Sequence, residues 1–412
     1  MTSGVANLPT SFIAEWGSGK PIIGVLAEYD ALPGLSPVKE GAPGHGCGHN
    51  LLGTASVYAG IAVKKAMERS GIKGTIRVYG CPAEEILYGK VIMAAAGVFN
   101  DLDAAIQWHP WDSNTVSYGS ANALDNKIYR FHGKAAHAGA YPWEGRSALD
   151  AAMLFTEAIE RIREHMWEKD RIHYVITKGG KAPNIVPDYA EVWVFVRSPD
   201  MRHFMELTRW VDAAAIGASL ATQTTVEIER KVGTHILLPN KTLSLAAYKN
   251  MEIVGPPKFT DEEKRFIKEK LSRPYEVLDE SLTPPRGWEV GGEWVGITGS
   301  TDVGDVSWII PTTGMIMTTC VAKETPAHSI DWAKQVGMSI GHKGMLVATK
   351  VIALTALDLL SKPEILKSAW DEFEKRKKIL KWEYKSLVPA KIEYPKYTLE
   401  AKEVPLKTSG GS

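Results

Sequence analysis

The chain is short of cysteine, of net charge and of long apolar runs. Cys47, Cys81 and Cys320 are its three thiols in 412 residues. An odd, low count argues against a disulfide framework and for a reducing compartment. Lys plus Arg number 48, and so do Asp plus Glu. That balance gives no electrostatic case for nucleic acid or an anionic membrane as partner. No basic-then-apolar segment opens the sequence as a secretion signal would. The apolar stretches, such as 50–63, contain polar breaks and are too short to span a bilayer. A soluble cytoplasmic protein is expected. There is no internal repeat, and the final residues TSGGS (408–412) read as a flexible linker.

What is present is ordinary globular material, 44% hydrophobic and 23% charged. The length predicts two or three domains. Segment 21–28 (PIIGVLAE) reads as a buried strand, 51–70 as helix, 74–81 as strand, 90–98 as helix and 104–108 as strand. This alternation predicts an α/β fold, a mostly parallel sheet sandwiched by helices. The pattern then changes. Residues 126–132 alternate like an exposed edge strand, followed by helix 145–168, strands 171–177 and 189–197, helix 200–221 and strand 224–231. That order is a ferredoxin-like α+β unit. It is placed as an inserted domain at 122–235, between segments 1–121 and 236–385 of a discontinuous larger domain. Within the second segment, 258–282 is charged and partly helical, and 341–360 and 363–381 are long helices. The Pro- and Lys-rich stretch 386–412 is expected to be an extended or loose tail.

Four short segments carry most of the chemistry. In GHGCGHN (44–50), Cys47 and His49 stand two apart in a glycine-rich loop before a helix. Glycines let both side chains turn to one spot, and thiolate and imidazole suit zinc-like ions. In CPAEE (81–85), two adjacent carboxylates follow a strand. One can ligate a metal while the other serves as general base. His109 in WHP ends the next strand, and Asp30 follows the first one. In α/β sheets, sites form outside the carboxyl ends of strands, so these groups converge on one edge. His328, in PAHS, stands far along the chain. Each segment alone has a plain structural explanation: a glycine turn, an acidic helix N-terminus, a core or surface histidine. Together, Cys47, His49, Glu85, His109 and His328 make five candidate ligands. Five are too many for one open tetrahedral zinc and suit two ions.

GHGCGHNLLGTA, CPAEE, WHP, GKAAHAGAYPWEGRSALDA, STDVGDVSW and TPAHS occur in this order between about 24 and 360. With these motifs the sequence resembles the M20 metallopeptidases, in their amidohydrolase subgroup. The resemblance implies hydrolysis of the amide bond of an N-acyl or N-aroyl amino acid such as p-aminobenzoyl-glutamate. It implies two divalent ions, zinc or manganese first, cobalt or nickel also tolerated. Cys47 would bridge them, with His49, Glu85, His109 and His328 as further ligands and Glu84 as general base on a metal-bridging water. Asp30 matches the aspartate that supports the site. His137 matches the histidine that stabilises the oxyanion, often across a dimer interface. Asn184 and Arg197 match residues that hold the substrate carboxylate, for which a guanidinium fork is suited. The inserted domain is implied to make a homodimer. Two features depart from the family pattern. An N-terminal helical segment that relatives carry is not found before the first strand. Asn50 stands where an aspartate often follows the CGH motif. A dipeptidase or aminoacylase would share this site, and a non-catalytic ligand-binding relative would have lost a ligand or the base. His45 is assigned a loop role, and Cys81 and Cys320 are expected in the core.

Overall fold

A computed structural model of the chain describes residues 1–289 and 292–392. The linker expected at 408–412 lies outside the described residues. The first half begins with β1 (Thr2–Ser3), β2 (Phe12–Ser18) and β3 (Ile22–Glu28), then α1 (His49–Ser70), β4 (Gly74–Cys81) and α2 (Gly89–Ala95). Next come β5 (Ala104–Ile106), β6 (Trp108–Trp111), β7 (Thr115–Ser117) and β8 (Ser120–Ala121). A second unit holds β9 (Ala123–His132), α3 (Ala148–Ile162), β10 (Arg171–Lys178), β11 (Tyr189–Ser198), α4 (Met201–Ala221) and β12 (Thr225–Thr234). The chain continues through α5 (Lys241–Val254), α6 (Asp261–Glu269), β13 (Gly296–Ile297), α7 (Val303–Ser307) and β14 (Met315–Thr319). It closes with α8 (Ile330–Val336), α9 (Ser339–Ser361), α10 (Pro363–Leu380) and β15 (Ala390–Ile392).

The first sheet has the order β1-β2-β4-β3-β5. β3 runs parallel to both neighbours, and β2 pairs antiparallel with β4. Both faces of β3 are covered, which is why its sequence is one apolar run rather than an alternation. Ile23, Val25 and Ala27 share a core with α1 and α9, while Leu26, Tyr79 and Cys81 face α2 and α7. The single strand expected at 104–108 is two strands. The chain leaves the first sheet at Gln107, whose side-chain amide donates to Thr313 O at 2.9 Å, and β6 joins β14 and β7.

The second sheet has the order β10-β11-β9-β12-β15 and is antiparallel throughout, the ferredoxin-like arrangement expected. The expected edge strand is not at an edge: β9 lies between β11 and β12. Its alternation arises because α3 and α4 cover one face of the sheet and not the other. Ser147 and Asp200 cap the two helices, each accepting from backbone N–H groups of the first turn. Of the tail expected at 386–412, the part to 392 ends in β15, which pairs with β12, and the rest lies outside the described residues. One feature corrects the absence of a spanning stretch expected from sequence. Among the described residues α9 alone is long and apolar enough to cross a membrane, with a mean hydropathy of 1.6. It packs as a core helix against α1 and α5, with Val347, Val351, Ile352 and Leu359 buried.

The second unit has its own apolar centre. Phe155 is wholly buried, with its ring 4.7 Å from Tyr129 and 5.8 Å from Phe131. Phe155→Ala is expected to cost about 3–5 kcal/mol. Urea unfolding checks this; a loss below about 1 kcal/mol would show that the neighbours collapse into the space.

Candidate metal centre

The groups at the carboxyl ends of β3 and β4 meet His109, which stands near the start of β6, and the loop before α1 joins them. Cys47 Sγ lies 3.3 Å from His109 Nε2. His109 Nδ1 faces Pro110 O at 2.7 Å, so it carries the proton and leaves Nε2 free as a donor atom. Asp30 Oδ1 takes His49 Nδ1 at 2.9 Å, and its Oδ2 accepts the Glu85 N–H at 2.9 Å. One aspartate thus orients a histidine and a glutamate together. His328 Nε2 lies 3.4 Å from Glu85 Oε2. Cys47, His49 and His109 offer donor atoms within 4.8 Å of one another, and so do Cys47, Glu85 and His328. The two triads share the one thiol.

Local backbone constraints aim these side chains. Glu84 and Glu85 occupy a single 3-10 turn, flanked by Ala83 at φ 60° and Leu87 at φ 57°. His328 stands at φ 59°. Left-handed conformations of non-glycine residues cost ~1–3 kcal/mol each and concentrate at functional sites. Gly46 O accepts the His328 N–H at 2.8 Å, and a Cβ on Gly46 would lie 3.3 Å from His328 Cα. The glycine therefore lets the loop carrying Cys47 approach the distant segment carrying His328.

The electrostatics describe an acidic cluster short of cations. Burial, reinforced by Glu28 and Asp302, holds the Glu84 carboxyl well above the usual range. Burial lifts Glu85 to about 7 against the pull of His49. Burial pushes the Cys47 thiol up to about 12. Burial and the neighbouring His49 press His109 down to about 4, keeping its ring neutral. Burial opposes a charge on His49, but its bond to Asp30, with Cys47 and Glu28 close by, prevails and holds it well above its ordinary value. His49 Nε2 is buried without a hydrogen-bond partner. A thiol, the neutral His109 ring, a second imidazole and surplus buried carboxylates that release protons to a divalent cation make a set that fits the ions implied by the resemblance.

A cavity of about 400 Å³ opens above these groups, with Cys47, Glu84, Glu85, His109 and His328 in its lining. That volume suits a small organic ligand. Its roof is the uncovered face of the second sheet, where Trp193, Phe195 and Arg197 alternate along β11. The Trp193 indole donates to Asn126 Oδ1 at 2.7 Å, and Arg197 Nη1 donates to Ser300 Oγ at 3.0 Å. Among the described residues no carboxylate lies within ion-pair distance of Arg197. His137 and Asn184 adjoin each other, with the Ala138 N–H donating to Asn184 O at 3.0 Å, but both are exposed and neither lines the cavity.

Sequence reasoning missed Glu28, Lys90, Asp302 and the aromatic wall. Glu28 had a signal: a carboxylate in a buried apolar strand, two residues before Asp30 and so on the same side of the chain. Cys81 and Cys320 are buried, as expected.

Residues 118–216 match the peptidase dimerisation domain of the M20 family. The chain is 39% identical to one of the subunits of the p-aminobenzoyl-glutamate hydrolase of Escherichia coli, across 91% of this chain and 84% of that protein. It is 33% identical to the Xaa-Arg dipeptidase of Mus musculus, across 89% of this chain and 78% of that protein. The fold matches a dinuclear metal-binding peptidase of the M20 family from Bacillus subtilis with a TM-score of 0.55, 20% identity and 86% of each chain covered. The chain thus belongs to the M20 family of metal-dependent peptidases and amidohydrolases.

Proposed function

We propose that this hydrolase cleaves the amide bond of an N-acyl or N-aroyl amino acid such as p-aminobenzoyl-glutamate, using two divalent ions. The observation that carries the reading is the Cys47 thiol shared by two donor triads beneath a cavity that also holds Arg197. Cys47, His49 and His109 would hold one ion, and Cys47, Glu85 and His328 the other. Zinc or manganese suits this set, and cobalt or nickel is compatible. Such ions, when bound, polarise the amide carbonyl and acidify water.

The chain's own groups supply the rest. Glu84 is the general base: it takes the proton of the attacking water and returns it to the leaving nitrogen. Asp30 fixes the His49 ring. Arg197 binds the free carboxylate of the amino-acid half, and Trp193 and Phe195 give an apolar wall for the acyl half. His137 and Asn184 complete the site from a second copy, His137 at the oxyanion and Asn184 at the carboxylate. Exposed Tyr141, Trp143 and Ile185 beside them favour a homodimer through 122–235, with 1–121 and 236–385 as the catalytic domain. The bacterial relative is named as a subunit, so a mixed assembly is the competing outcome of a mass measurement. Three free buried thiols fit a reducing compartment such as the cytoplasm. The dipeptidase among the relatives supports peptide cleavage at the same site as a second reading, and a substrate panel separates the two.

Ion binding is expected to be coupled to protons. Glu85, raised to about 7, and Glu84, raised well above its usual range, bind protons in the folded metal-free protein at pH values where the unfolded chain has released them. Their contribution to stability is therefore present at low pH and lost as pH rises toward 7 and beyond. Added Zn²⁺ is expected to raise the Tm more at pH 8 than at pH 5.5. An equal increment at both pH values would remove these groups from the ion sites. Glu84→Gln is expected to keep both ions and lose ~10²–10⁴-fold in kcat on p-aminobenzoyl-glutamate. Turnover near the wild-type value would end the base assignment. Arg197→Ala is expected to raise KM for substrates with a free carboxylate; an equal loss on the esterified analogue would exclude the contact.

A further inference from the structure

We infer that Glu28 adds an oxygen donor to the first ion position and that buried Lys90 is the positioning residue that presents it. The inference rests on the two-ion reading above. Glu28 ends β3 and is almost wholly buried. Its Oε1 takes Lys90 Nζ at 2.7 Å, and its Oε2 lies 3.5 Å from His49 Nε2, the nitrogen without a hydrogen-bond partner. Glu84 Oε2 is 4.0 Å from the same nitrogen, and donor atoms of Glu28, His49 and Glu84 lie within 4.8 Å of one another. Two carboxylate oxygens around a buried imidazole nitrogen form a cradle that a cation would satisfy.

Lys90 has no exposed surface, and its ammonium is fixed from both sides. Asp302 Oδ1 lies 2.5 Å from Nζ, and Asp302 Oδ2 accepts the Lys90 backbone N–H at 2.8 Å. With Asp302 anchored, the ammonium holds one oxygen of Glu28 and turns the other toward His49. Glu28 thus keeps one oxygen on the ammonium and presents the other to the ion side. A purely structural ion pair does not require the second oxygen to face an unpartnered histidine nitrogen.

The test compares Glu28→Gln, Lys90→Met and Lys90→Met/Asp302→Asn with the wild type. Zn²⁺ affinity is read by chelator competition, ion content by elemental analysis and stability by thermal unfolding of the metal-free protein. Glu28→Gln, close in shape, is expected to fold like the wild type and to bind one of the two ions ~10–100-fold more weakly. Its Co²⁺ form is expected to show a shifted visible absorption, because a donor has left. Lys90→Met is expected to lose stability and affinity together, since two carboxylates stay buried without their cation. The double variant is expected to regain stability without affinity. Wild-type affinity for both ions in Glu28→Gln overturns the donor role. Wild-type affinity in the double variant overturns the positioning role and leaves Lys90 a structural ion pair. If the Lys90 variants do not fold, Glu28→Gln decides alone. A wild-type chain that binds no Zn²⁺ defeats the two-ion reading instead.

Discussion

The structure depends on one electrostatic constraint: a thiol and several carboxylates are crowded at the carboxyl ends of parallel strands with a single buried ammonium among them. Taking like charges out of water is costly unless cations or protons accompany them. Lys90 answers part of that cost by binding Glu28 and Asp302. It does not answer all of it, since Asp302 is still lifted to about 7 by burial. The remaining imbalance lies on Glu84 and Glu85, facing the cavity. An acidic surplus of this kind keeps the site receptive to divalent cations.

The surrounding fold serves that crowding. Covered on both faces, β3 delivers Glu28 and Asp30 to one place, and β4 delivers Glu84 and Glu85 beside them. The departure of β6 from the first sheet at Gln107 carries His109 over the same point. Left-handed residues at Ala83, Leu87 and His328 show where chain direction has been subordinated to side-chain direction. The second sheet contributes a different chemistry, an apolar and cationic roof. The cavity thus has acid groups below and an aromatic strand above.

Much of this was legible in the sequence, for a physical reason. Cys47, His49, Glu84, Glu85 and His109 are held by short-range devices, a glycine loop or a strand end followed by a turn, and such devices leave local patterns. The ferredoxin-like order was legible because its helices and strands have distinct periods. Lys90 and Asp302 were not legible as partners: their bond spans 212 positions, and a lysine at a helix start ordinarily signals solvent. The position of β9 was misjudged because alternation reports one covered face and says nothing of lateral neighbours. The helix at 341–360 was legible by its length, but its apolar character was passed over as that of a core helix, the role its packing gives it.

The way the roof sheet is attached has a mechanical consequence. Leu124 pairs with Thr234, and Gly233 bonds Leu387, so among the described residues the three covalent crossings between the two bodies enter the roof side by side on neighbouring strands. Three pins in a row act as the knuckles of a door. Of the possible relative rotations, such an arrangement restrains twisting about the sheet normal most and turning about their common line least. Arg197 on β11, paired with Leu124 on β9, sits close to that line, whereas Trp193 lies four residues further out along the same strand.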